Sequence, residues 1–167
     1  IVRTEGKFTN LVDDAGNWTA LDNALYRGVI SDTAAGPMGP AVTGDFGPEL
    51  GFGHVMDYYY EEPVLVIKSS IGNRSLSWDC LPPGSGQYEA DTTTYAGYGD
   101  NPASWETGAT PNLGGWYAGK QYDDYVKAIH DVLNGFDELF PQYREQGYEI
   151  AGFVWWQGHK DGNPAHA

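Results

Sequence analysis

The chain has 167 residues, 23 of them acidic against 9 basic, and a formal net charge of −14. That balance excludes a nucleic-acid binder, which needs a basic face to displace counterions from phosphates, and it excludes an anionic membrane surface as partner. With 41% apolar and 14% aromatic residues the chain is not disordered, and it is long enough for one domain with a sizeable core.

Twelve Tyr and six Trp accompany 23 Gly. This fits ordered, aromatic-bearing loops of the kind that stack on sugars, although most such rings fill cores. Cys80 is the sole cysteine, so no internal disulfide forms. With no His near it in sequence, Cys80 reads as a small core residue. No stretch reaches the ~20 apolar residues of a membrane span. The sequence shows no signal peptide and begins with Ile1, which reads as a chain processed or cut from something longer.

Residues 1–46 read as irregular: "VDDAGNWT" is a turn cluster and "AAGPMGPAVTG" a Gly/Pro loop. In "GPELGFGHVMDYYYEE", Pro48 suits the first turn of a helix and Glu49 its positive end. Two glycines weaken that helix on propensity. "PVLVIKSS", 63–70, is the clearest strand, with a continuous apolar run at Val64–Ile67 that predicts cover on both faces. Residues 79–120 carry some forty residues of loop signals, and a loop that long is usually functional. Next, "YDDYVKAIHDVLNGFDELFPQY" is an amphipathic helix. Tyr125, Ile129, Val132, Leu133, Phe136, Leu139 and Phe140 form its apolar stripe, and Pro141 stops it. A second buried strand is expected at 149–156. Strand, loop, helix, strand predicts an α/β fold with a parallel sheet, whose ligand crevice lies off the carboxyl ends of the strands. Ser69–Asn73 and Gln157–Asp161 are the turns that would face it.

Gly72 permits close backbone approach, so a neighbouring N–H can meet a developing oxyanion, and the Gln157 amide can donate a second hydrogen bond. The plain alternatives are a turn glycine and a satisfied glutamine at the sheet rim. His54, His130, His159 and His166 lack zinc-enzyme spacing, and His159 with Asp161 makes only two ligands. No metal and no cofactor is assigned. "NWT" (17–19) and "NRS" (73–75) match the N-glycosylation pattern, which matters only in a eukaryotic secretory context.

"GPE" before a helix, a strand ending "IKSSIGNRSLSW" and a later strand ending "WWQGHKD" together resemble the sialate O-acetylesterase-like carbohydrate esterases of the SGNH (GDSL-like) hydrolase superfamily. The resemblance covers roughly residues 44–161. It implies a flavodoxin-like parallel sheet with flanking helices and long Gly/Pro/aromatic loops. It also implies serine acyl-enzyme deacetylation of acetylated sugars, in a secreted or periplasmic setting. The Gly72–Asn73 backbone then looks like the oxyanion-hole turn, and Gln157 like its amide donor. Arg74, Trp78, His159 and Asp161 stand where substrate would lie. Arg74 and His159 depart from the family pattern and point either to an acidic sugar or to salt bridges with the many carboxylates.

The family's Gly-Gln-Ser-Asn nucleophile motif and its Asp-x-x-His motif are absent. Ser69, Ser70 and Ser75, paired with His159 or His166, show no triad-like spacing. The expectation is a single partial domain over 1–167, with an irregular segment 1–46 and a motif-bearing part 47–161. Its missing N- and C-terminal parts would supply the nucleophile and base. The alternative is a non-catalytic glycan-binding module on the same scaffold.

Overall fold

The computed structural model describes residues 2–162. The chain divides into two compact units, Ile1–Ser70 and Ile71–Ala167. Its class is mixed α/β.

The first unit is a three-stranded mixed sheet packed against helices. After a short helix α1 (Val2–Glu5) come β1 (Ala24–Ile30), β2 (Ala35–Pro37), α2 (Pro40–Thr43), α3 (Pro48–Tyr59) and β3 (Val64–Ser70). The strand order is β2-β1-β3. β1 pairs antiparallel with β2, and parallel with β3 in the register Ala24↔Val64 to Ile30↔Ser70.

The α3 helix begins where Pro48 predicts, with Glu49 in its first turn. Of its two glycines Gly53 serves packing: a Cβ there would lie 2.1 Å from Met38 Sδ, whereas one on Gly51 would meet nothing within 4 Å. Leu11, Ala24, Tyr26, Met38 and Leu50 form the buried core. The Tyr26 hydroxyl donates to Asp32 Oδ2 at 2.9 Å, which satisfies the one polar atom of a fully buried ring. Lys68 of β3 reaches Glu49 of α3 at 2.6 Å, with the two side chains 26% and 9% exposed, tying the helix to the strand.

Two expectations change here. Residues 1–46 are not irregular: they hold β1, the strand at the centre of the sheet, and β2. Arg27 and Gly28 interrupt β1's apolar run, and Arg27 is accommodated by donating to the Thr33 carbonyl. The parallel partner of β3 is therefore β1. β3 is half-buried along its whole length, as an edge strand is, rather than covered on both faces.

The second unit contains a small antiparallel sheet, β4 (Tyr88–Ala90), β5 (Thr93–Tyr95) and β6 (Ser104–Glu106), in the order β4-β5-β6. Tyr88 and Tyr95 stack across it, 4.7 Å between centroids and 5° from parallel. These short strands lie inside the segment that reads as loop. The amphipathic helix is present as α4 (Lys120–Asn134) and α5 (Phe136–Leu139), interrupted at Gly135. Val132 and Phe140 of its stripe are buried and the rest half-buried, except that the break sets Phe136 and Phe140 against each other. Gly119, at φ +91, precedes α4. A side chain there would meet the Tyr98 ring and the Leu81 carbonyl.

The expected strand at 149–156 does not form. This segment carries no regular structure, and Ile150, Phe153, Val154, Trp155 and Trp156 are all exposed, Trp156 by 83%. The apolar run gives it strand propensity, but among the described residues no ladder takes up its backbone groups.

Candidate functional site

The turn that directly follows β3 holds Gly72 and Asn73, both exposed, with Asn73 in the left-handed region at φ 62. A Cβ at Gly72 would meet nothing within 4 Å, so the approach to the backbone there is open. Behind the turn lies a buried lock. Ser75 N and Oγ both donate to Asp79 Oδ2, at 2.8 and 3.1 Å, and Asp79 N donates back to Ser75 Oγ at 3.3 Å. Ser75 is 3% exposed and Asp79 4%, so the Ser75 hydroxyl is sealed into a structural role. Ser69 Oγ is buried without a partner.

Gln157 sits 83 residues further along and brings the second turn onto the first. Its Nε2 donates to the Arg74 carbonyl at 2.8 Å and also to Asp161 Oδ2. Asp161 accepts the Leu76 N–H at 3.0 and 3.1 Å and the Ser77 N–H as well. Burial pushes the Asp161 carboxyl up, but the Gln157 amide and the two backbone N–H groups outweigh it and hold the group below its usual value. Both Gln157 N–H hydrogens are thus engaged within the protein. Its Oε1 is the buried atom left without a partner.

Arg74 turns to the helix side. Its Nε donates to Gln121 Oε1 at 3.1 Å, its guanidinium lies 4.5 Å from the Trp116 ring centroid, and Nη1 is 4.0 Å from Asp79 Oδ1. These contacts hold the guanidinium against the helix side through Nε and its face. Trp78 is half-buried: its carbonyl accepts the Gly119 N–H at 2.7 Å, and its indole N–H is buried and unpartnered. His159 is exposed and, with Asn73, Gly158, Lys160 and Gly162, lines an open cleft of about 480 Å³. His166 lies outside the described residues. His130 is exposed on α4, and His54 approaches Asn10 in the first unit. Among the described residues no three of His, Cys, Asp and Glu gather as metal ligands. Burial, with Asp79 and Asp161 adding to it, pushes the Cys80 thiol up to about 11.

Gly72, Asn73, Arg74, Gln157 and Asp161 are therefore brought into one neighbourhood, which the two quoted motifs signal. Sequence reasoning missed Gln121, the buried acceptor for Arg74, and Asp79, the lock on Ser75. The Asp79 lock has a local signal in "SLSWD", a serine followed four residues later by an aspartate. Gln121 has none, because its partner lies 47 residues away.

No helix is long and apolar enough to cross a membrane among the described residues. No family model, curated protein or solved structure matches the chain.

Proposed function

We propose that this chain carries the oxyanion-stabilising part of a carbohydrate esterase, one that removes acetyl or similar acyl groups from sugars by a serine acyl-enzyme route on a flavodoxin-like, SGNH-type parallel sheet. The observation that supports it is the meeting of the two motif turns, with the Gln157 amide 2.8 Å from the Arg74 carbonyl, at the end of the open Gly72–Asn73 backbone. In this reading the serine oxygen attacks the acyl carbonyl, a base takes the serine's proton, and the carbonyl oxygen becomes an oxyanion. The N–H groups of the Gly72–Asn73 turn meet that charge. Gln157 holds the turn in place and joins in stabilisation when an incoming oxyanion displaces Asp161 from one amide hydrogen. The tetrahedral intermediate then collapses: the bond from the acyl carbon to the sugar oxygen breaks, the base gives its proton to that oxygen, and the sugar alcohol leaves. Water, deprotonated by the same base, attacks the acyl-enzyme, and the serine leaves reprotonated as the acid is released. Nucleophile and base come from segments bearing the Gly-Gln-Ser-Asn and Asp-x-x-His motifs.

The test is acetate release from acetylated xylan fragments and aryl acetates. It compares this chain with a longer chain that includes those two motifs. Turnover only by the longer chain supports the reading. Turnover by the 167-residue chain itself, with a serine-directed probe on Ser70, overturns the assignment of the nucleophile.

A further inference from the structure

The second unit holds a cleft well apart in sequence from the Gln157 turn. Its volume is about 400 Å³, and its lining includes Gln87, Asp100, Asn101, Trp105, Leu113 and Tyr117. That volume falls in the ~300–1,000 Å³ range of small-molecule sites. Three loops make the walls, and they are stapled together. Asp100 Oδ2 accepts the Gln87 amide and the Gly97 N–H, each at 2.8 Å. Asn101 Nδ2 donates to the Gly114 carbonyl at 2.6 Å, and Gly114 N donates back to Asn101 Oδ1 at 2.7 Å. The backbones of Gly99 and Asp100 pair with Ala118 at 2.8 Å on each side. The Tyr117 ring is fixed by its hydroxyl, which donates to Asp123 Oδ2 at 2.8 Å. The Trp105 backbone is held in β6 opposite Thr94. The loop walls and the Tyr117 ring are therefore held before any ligand arrives, which lowers the ordering cost of binding.

We infer that this cleft binds a neutral sugar ring. Half-buried Trp105 and Tyr117 offer faces to the C–H side of a pyranose. Gln87 Oε1 and its second amide hydrogen, with Asp100 Oδ1, are left for its hydroxyls, while Asn101 serves the loops, its amide donating to the Gly114 and Trp116 carbonyls. Among the described residues no Lys, Arg or His lines the cleft. Asp100 and the chain's net charge of −14 repel uronic and sialic acids. Occupancy needs no acyl transfer, so binding here and turnover at the Gln157 turn fail independently.

The experiment is calorimetric titration of the full chain with β-1,4-linked hexasaccharides of xylose, mannose and glucose. Oligogalacturonate of the same length and choline serve as the anionic and cationic comparisons. At least one neutral saccharide binds saturably, and Trp105→Ala weakens it ~10-fold or more. Because truncating Trp105 also removes part of the small sheet, Gly115→Leu is the second variant. Gly115 lines the cleft and a Cβ there meets no atom within 4 Å, so the backbone accommodates the side chain; the expected result is a folded chain whose affinity falls by a similar factor. Trp156→Ala, at an exposed ring elsewhere, leaves it unchanged. No binding of any neutral saccharide overturns the inference. So does equal or tighter binding of oligogalacturonate or choline, or an affinity that Gly115→Leu leaves intact.

Discussion

Gln157 Nε2 lies 2.8 Å from the carbonyl oxygen of Arg74, and its other N–H is held by Asp161. One amide thus ties two turns that are 83 residues apart. An amide that only positions the turn and an amide that also meets an oxyanion differ in their kinetics. In a protein that turns over, Gln157→Ala lowers kcat ~100-fold or more. Asp161→Ala leaves the Gln157–Arg74 bond in place and costs far less. Equal losses in the two variants would reduce Gln157 to a positioning residue.

The Asp161 carboxylate anchors the Leu76 and Ser77 amides, and its folded value lies below the ordinary 3.8. A carboxyl so depressed stabilises the fold above pH 3.8 and loses that contribution as the pH falls through the folded value. Hydrogen exchange at Leu76 and Ser77, corrected for the intrinsic pH dependence, accelerates in that acid window. At neutral pH Asp161→Ala accelerates it ~10-fold. Exchange at those two amides that ignores both acid and the substitution would show that the anchor carries no free energy.

Arg74 shows how far a residue's type is from its role. Its guanidinium serves a buried glutamine and an aromatic ring, so Arg74→Ala strands Gln121 Oε1 where Gln121 is 1% exposed. The expected destabilisation is about 2 kcal/mol, read as a lower denaturant midpoint. Arg74→Lys recovers little of it, because an ammonium lacks the planar fork. Losses in glycan binding or turnover follow the loss of fold and are equal for acidic and neutral sugars. A selective loss on acidic sugars with unchanged stability would restore Arg74 as a substrate contact.

The parts of the fold legible in the sequence are those where one period dominates. Helix α4 shows in its Tyr125–Ile129–Val132 spacing, β3 in the run Val64–Ile67, and the start of α3 in Pro48. β1 stays hidden because Arg27 and Gly28 break its pattern, and the contact that accommodates Arg27, with Thr33, is a tertiary fact. The run Phe153–Trp156 misleads in the opposite sense. Hydrophobicity announces a wish to be buried, not the partner that would bury it, and here the side chains are exposed. At the candidate site the two motif turns are visible as motifs. The direction of the Gln157 donors is not, because Asp161 competes for them from only four residues away.

Asp123 is shared by two phenols: Tyr98 donates to Oδ1 at 2.7 Å and Tyr117 to Oδ2 at 2.8 Å. The hydrogen bond to Asp123 is the largest cause raising both, ahead of burial, and Tyr117 is pushed up to about 12. A raised phenol stabilises the fold fully below the ordinary value of 10.0 and loses that contribution as the pH climbs through the folded value. Asp123→Asn removes the charge that favours the protonated phenols. In a titration followed through 13Cζ-labelled tyrosine, the Tyr98 and Tyr117 midpoints then fall toward 10.0. Because the same hydroxyl holds the Tyr117 ring in the wall of the 400 Å³ cleft, saccharide affinity falls in that variant too, and in the unsubstituted chain it falls as the pH is raised toward 12. A Tyr117 midpoint unmoved by Asp123→Asn would mean that the carboxylate neither raises the phenol nor fixes the ring.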